Sequence, residues 1–309
     1  MTPPATPSPT PRPGLRRWWA AAWPGLVLAA ALSAPWLSSP MFLDDWHVLF
    51  QADQAPLTAE GLAQGFTFLD RSSIETWNLP AHPAYHFFRP LVVASYKLDL
   101  ALWGTAPLPS HLLNLLLHLT SVALVALLAL RLGGGRRVAR IAAVLFAIQP
   151  QVCVAIVWTS GRTETLAGLW MLAGFTAYVI ARQDRRPWWL AGTLAALGLA
   201  MLTKENAVLL PAMVGAFELS RWIAGGWPSR QQVARAAAHA APVIVAGTAY
   251  LGWRLLAWDP GAELGLPYYH APLEAGFAVH ALAKTAYNLV ALVTTAMLVP
   301  LFGVELLVE

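Results

Sequence analysis

The chain has 309 residues, 57 % of them apolar and 12 % charged, with a mean hydropathy of +0.54. Soluble domains carry roughly 25 % charged residues, and disorder requires low hydrophobicity, so both readings are excluded and the bilayer is the expected solvent. A single cysteine, Cys153, excludes a disulfide framework and a cysteine-based metal cage. The net charge of +4 then has to be read by location, because an excess of Lys and Arg marks cytoplasmic loops.

Residues 1–15 are rich in proline and read as a disordered cytoplasmic tail. Arg16 and Arg17 precede an apolar run from Trp18 to about Leu37, whose length suits a retained signal-anchor helix better than a cleaved signal. Residues 39–108 hold Asp44, Asp45, Asp53, Glu60, Asp70, Glu75 and Asp99 among many aromatics and prolines. They read as a large first outer loop with short interfacial helices. Within it, 90–103 is apolar except for Lys97 and Asp99, which are costly in mid-bilayer, so this stretch is expected on the membrane surface. Further spans are expected at about 110–130, 139–158, 164–181, 188–203, 206–223, 236–257 and 277–302. The fold class is therefore an all-α polytopic membrane protein of about eight transmembrane helices, with 16–309 as one module.

Charge tests that topology. With the N-terminus cytoplasmic, the inner loops collect Arg12, Arg16, Arg17, Arg131, Arg136, Arg137, Arg140, Arg182, Arg185, Arg186, Arg221, Arg230 and Arg235, most of the 20 basic residues. The acids do the reverse: the loop acids named above fall outside, together with Glu164, Glu205, Asp259, Glu263 and Glu274. Acids contribute little to orientation, so their asymmetry points to chemistry on the extracytoplasmic face. The basic excess is a topology signal, and no nucleic acid is expected as a partner.

Four clusters carry candidate chemistry. F-L-D-D-W-H, residues 42–47, places Asp44 and Asp45 side by side after the first helix. Adjacent carboxylates repel, so one has a raised pKa or the pair shares a divalent cation, Mg or Mn being the candidates; either state suits a general base, and a helix cap is the plain alternative. W-T-S-G-R-T-E, residues 158–164, offers Gly161 for a tight turn, Glu164 in the first turn of the next helix, and Arg162 for an anionic headgroup or for an ion pair. T-K-E-N, residues 203–206, sets Lys204 and Glu205 between two apolar spans, as a phosphate site or as snorkelling charges.

The fourth cluster is H-F-F-R-P at 86–90 followed by H-L-L-N-L-L-L-H at 111–118. His86 and His111 are candidate substrate contacts, and Arg89 is a second phosphate candidate. His111, Asn114 and His118 share one helical face, where interhelical hydrogen bonding competes with ligand binding. Walker, nucleophile-elbow and zincin motifs are absent from the sequence. Tryptophans flanking the spans, Trp158 among them, read as interfacial anchors.

In this order, D-D-W, R-P-L, H-x-x-N-x-x-x-H, S-G-R-x-E and T-K-E-N together resemble the GT-C superfamily of polytopic glycosyltransferases. The pattern looks most like the protein O-mannosyltransferases that bear tetratricopeptide repeats, and their bacterial relatives, over residues 15–225. The resemblance implies an inverting transfer from a polyprenyl-phosphate-linked sugar to a protein or glycan hydroxyl outside the cytoplasm. By position it makes Asp44 or Asp45 the general base or metal-contacting acid, and Arg162 and Lys204 contacts for the donor phosphate. Two departures stand out. Gln149, Pro150 and Gln151 replace a His-Pro-x-His-like stretch, and no tetratricopeptide repeats follow, so a truncated or short form is expected. The alternatives are a transporter or flippase of lipid-linked sugars and a non-catalytic membrane scaffold.

Overall fold

The computed structural model describes residues 13–42, 44–65, 67–69, 84–226 and 228–257. The elements run α1 (Leu15–Ser33), α2 (Asp44–Gln54), α3 (Ala59–Gln64), β1 (Thr67–Leu69), β2 (Ala84–His86), α4 (Pro90–Trp103), α5 (Pro107–Arg131), α6 (Arg136–Ala147), α7 (Pro150–Val157), α8 (Arg162–Asp184), α9 (Trp188–Met201), α10 (Leu209–Gly225) and α11 (Arg230–Ala257). Single 3-10 turns at Ala34–Trp36, Thr159–Gly161 and Glu205–Val208 join them.

Helix dominates, as the apolar composition requires. The fold class is all-α as expected, and a short antiparallel ribbon of β1 and β2 is added in the first loop, with Thr67 opposite His86. Among the described residues, three helical stretches are long and apolar enough to cross a membrane, Pro107–Arg131, Thr159–Asp184 and Glu205–Gly225, while α9 is apolar but has 14 residues. The expected spans at about 18–37 and 236–257 are helical without being both long and apolar enough to count with these three. The expected span 139–158 is two helices, because Pro150 cannot donate to the ladder and starts a new helix after Gln149. The span expected at 277–302, with Asp259, Glu263 and Glu274, lies outside the described residues, as do Asp70 and Glu75.

Three clusters form the interior. In the first, α1 packs on α5 and α6 through small residues. Ala21, Ala22 and Ala29 share one buried cluster with Ala139, Ala143 and Ala147, alongside Val122, Ala126 and Leu130 of α5. The approach is so close that a Cβ on Gly25 would lie 2.8 Å from the Ala143 carbonyl oxygen, the small-residue packing expected where helices associate in lipid. In the second, α8, α9, α10 and α11 contribute to one cluster around Tyr178, Val179, Leu197 and Leu210. In the third, α2 and α4 bury Val48, Leu49, Val92, Val93 and Tyr96. The outer faces stay apolar, as at Val27, Leu116, Leu145 and Val245, each more than half exposed.

The charges that counted against burying α4 are both engaged by protein. Lys97 Nζ donates to the carbonyls of Ala52 at 2.8 Å and Ala55 at 2.5 Å, closing the C-terminal end of α2. Asp99 is fully buried against Arg162. At the other end of the helices Arg131 pairs with Asp184 at 3.0 Å, and Arg182 grips Glu218 through two nitrogens, tying α8 to α10.

Candidate active site

Three stretches distant in sequence meet at one end of the helices: the start of α2, the turn at 158–164 and the turn at 203–206. Asp45 Oδ1 accepts a hydrogen bond of 2.7 Å from the Ser160 amide. The Leu91 amide donates to the Leu202 carbonyl at 2.9 Å. Lys204 Nζ pairs with Glu164, and Arg89 pairs with Glu205 at 3.4 Å. The alternation of helices read from the sequence requires these segments to share an end, and they do.

Between α2, Phe87–Arg89 and the 154–164 stretch lies a cleft of about 490 Å³. Asp44, Arg89 and Glu164 supply its charge, Ser160 and Thr163 its hydroxyls, and Val48, Phe87, Val154 and Trp158 its apolar walls. A few polar groups converging on an apolar concavity is the usual composition of a small-molecule site.

The two neighbouring acids have opposite environments. Asp44 is exposed and faces the cleft. Asp45 is fully buried, and both its oxygens are spent on backbone amides, Oδ1 on Ser160 and Oδ2 on Phe42 at 3.2 Å. Burial pushes its carboxyl above the usual range, while the amides of Ser160, Phe42 and Thr159 and the neighbouring His111 pull it back. Asp45 is thus a clamp between the N-terminus of α2 and the 158–161 turn. The expected sharing of a cation by the pair does not fit this donor set. Among the described residues no three His, Cys, Asp or Glu side chains are grouped to hold a metal ion.

Arg162 lies below the cleft floor. It is fully buried, 2.5 Å from Asp99 Oδ2, with Nε donating to Asn114 Oδ1 at 2.9 Å and its guanidinium 5.0 Å from the Tyr96 ring centre. Asn114 turns its amide nitrogen to the carbonyls of Ala155, Ile156 and Trp158, which end α7. These are orphan acceptors at a helix C-terminus, so Arg162 and Asn114 together hold the α7 end and the turn after it. Tyr96 adds a hydrogen bond from its hydroxyl to the Thr159 carbonyl at 3.1 Å. Burial raises the Tyr96 pKa, and it stays a neutral donor.

His111 is buried too, its Nδ1 2.9 Å from the Leu37 carbonyl, which anchors the end of the first helix on α5. His118 stacks on Phe146 with ring centres 5.5 Å apart. The face shared by His111, Asn114 and His118 is therefore an interior face. His86 ends β2. Glu205 sits between Arg89 and Arg254, the latter at 3.7 Å.

Gly161 has an ordinary helical backbone. It is required by space, since a Cβ there would lie 2.7 Å from Ala155 Cα and 2.9 Å from its carbonyl oxygen. The sequence reading missed Phe87 and Trp158 as cleft walls; the signal available was only their position beside the R-P and S-G-R motifs.

Residues 82–245, just over half of the chain, match the family described as dolichyl-phosphate-mannose-protein mannosyltransferase. The matched region contains α4, the Arg89, Arg162 and Lys204 segments and most of the cleft, and it excludes Asp44 and Asp45. Among curated proteins, the chain is 29 % identical to the protein O-mannosyl-transferase TMTC3 of Mus musculus over 46 % of this chain and 16 % of that protein. It is 30 % identical to the protein O-mannosyl-transferase TMTC2 of Mus musculus over 43 % of this chain and 16 % of that protein. It is 29 % identical to the Drosophila melanogaster Tmtc2 over 56 % of this chain and 20 % of that protein. The chain thus aligns with a fifth or less of the length of these relatives. No solved structure matches it. By the extent of the family match, the chain belongs to the dolichyl-phosphate-mannose-protein mannosyltransferase family.

Proposed function

We propose that the chain is a membrane mannosyltransferase that moves a mannose from a polyprenyl-phosphate donor to an acceptor hydroxyl on the extracytoplasmic face. The observation that carries this reading is the placement of Asp44, an accessible carboxylate, in one cleft with Arg89. A base that takes the acceptor proton has to be solvent-reachable and unspent, and Asp44 meets both conditions where Asp45 meets neither. Arg89, with Lys204 paired to the cleft residue Glu164, is suited to the phosphate that leaves. Glu164 and Glu205 hold these two cations in place before donor arrives. Arg162 acts through Asn114 on the turn and is a positioning residue.

An in-line displacement follows from this arrangement. The acceptor oxygen attacks the anomeric carbon, its proton passes to Asp44, and the bond from the anomeric carbon to the phosphate oxygen breaks with the electron pair leaving on phosphate. A donor whose tail stays in lipid explains why the site sits at the end of a helix bundle. The test is Asp44→Asn in the purified, reconstituted full chain. It is expected to bind polyprenyl-phosphate mannose as the parent does and to lose transfer by about a hundredfold or more; full transfer would remove Asp44 from the reaction.

The break between α6 and α7 favours the transporter reading to a limited degree, because broken helices mark substrate paths in carriers. Tracer flux of lipid-linked sugar across liposomes without acceptor separates the two, and the cleft's position at one end of the helices favours transfer.

A further inference from the structure

Trp158 lines the cleft beside Asp44 and Glu164. Its backbone is fixed on several sides. The amide donates to the Val154 carbonyl at 3.1 Å, and the carbonyl accepts from Gly161 at 2.9 Å and from Asn114 Nδ2 at 3.2 Å. Asn114 is itself fixed by Arg162, which is locked on Asp99. Phe42 stacks on the indole with ring centres 6.4 Å apart and planes 22° from parallel. Phe42 itself is not among the residues that line the cleft. A tryptophan that only marks the membrane interface needs none of this restraint.

The surroundings indicate what such a ring would meet. Within the same cleft are a carboxylate, Glu164, and two hydroxyl side chains, Ser160 and Thr163. A hexopyranose presents two kinds of surface, an apolar face of C–H bonds and a rim of hydroxyls. A flat electron-rich ring complements the first, and carboxylate and hydroxyl groups complement the second. A phosphate requires neither, and an isoprenoid chain has no use for the polar rim.

We propose that Trp158 is the stacking platform for the hexose carried by the donor, and so determines binding of the sugar independently of its lipid phosphate. This rests on reading the cleft as a transferase site. The test uses the full chain in nanodiscs and two probes, polyprenyl-phosphate mannose and the same polyprenyl phosphate without sugar. Their affinities are compared within each variant, so that differences in folded fraction cancel. Trp158→Leu is expected to weaken the mannosylated lipid by about tenfold while leaving the bare phosphate lipid unchanged, and Trp158→Phe is expected to recover most of the loss. Equal weakening of both lipids, or of neither, overturns the platform while the transferase reading stands. If the parent chain binds neither lipid, the transferase reading itself fails and the platform with it.

Discussion

Arg162 and Asp99 form an ion pair of 2.5 Å between two side chains that are both closed to solvent. The pair joins α8 to α4, and through Asn114 it also fixes the end of α7 on α5. Ser110 donates its hydroxyl to the same Asp99 oxygen at 2.6 Å. One contact thus gathers four helices directly beneath the cleft.

Removing one partner should cost more than removing both. Arg162→Ala or Asp99→Ala leaves an uncompensated buried charge, expected to destabilise the fold by about 3–5 kcal/mol. The double variant Arg162→Met with Asp99→Leu restores volume without charge and is expected to unfold at a higher temperature than either single variant. Thermal unfolding in detergent measures this, and additive losses in the double variant would contradict the buried-pair account.

Gly161→Ala should damage the site through the backbone alone. The added methyl collides with Ala155 backbone atoms at 2.7 and 2.9 Å, and neither belongs to a flexible side chain. The 158–161 turn has to move, taking Ser160 away from Asp45 and Trp158 out of register. We expect a stability loss of about 1–3 kcal/mol and a larger loss of transfer than of folded protein. Activity per folded molecule is the deciding measurement.

Asp45 should give stability a pH dependence of definite sign. Burial raises its carboxyl above the ordinary value. The native state therefore holds the proton more tightly than the unfolded chain, and its contribution is complete below the unfolded pKa of about 3.9 and lost as pH rises through the raised value. The difference in unfolding temperature between parent and Asp45→Asn should fall with rising pH over that window. A difference that rises with pH would show that the amides of Ser160 and Phe42 outweigh burial.

Arg89→Ala should weaken donor binding with little effect on the fold. Glu205 keeps Arg254 at 3.7 Å when Arg89 is lost, so that carboxylate is not left without a cation. A charge-assisted hydrogen bond to phosphate is worth about 1.5–3 kcal/mol, which corresponds to a KM for donor raised about tenfold or more. The unfolding temperature should move by no more than a degree or two. An unchanged KM would place the phosphate elsewhere.

The sequence by itself determined the solvent, the helical class, most helix positions and the end of the bundle at which the first loop and the two polar turns meet. These depend on local quantities: runs of apolar residues, prolines at helix starts, and charges sorted by alternating loops. It also pointed to the motifs that the structure brings together around the cleft, because charged residues between apolar helices are scarce and each is conspicuous. What only the tertiary structure decided was the use of each charge. Asp44 and Asp45 are adjacent in sequence, but successive helical residues point about 100° apart, so one meets the cleft and the other the Ser160 amide. Arg162 sits in the same turn as Glu164, yet its guanidinium turns inward to Asp99, 63 positions away along the chain. The small ribbon of β1 and β2 and the Trp158 wall also depend on packing partners remote in sequence, and periodicity and composition carry no information about them.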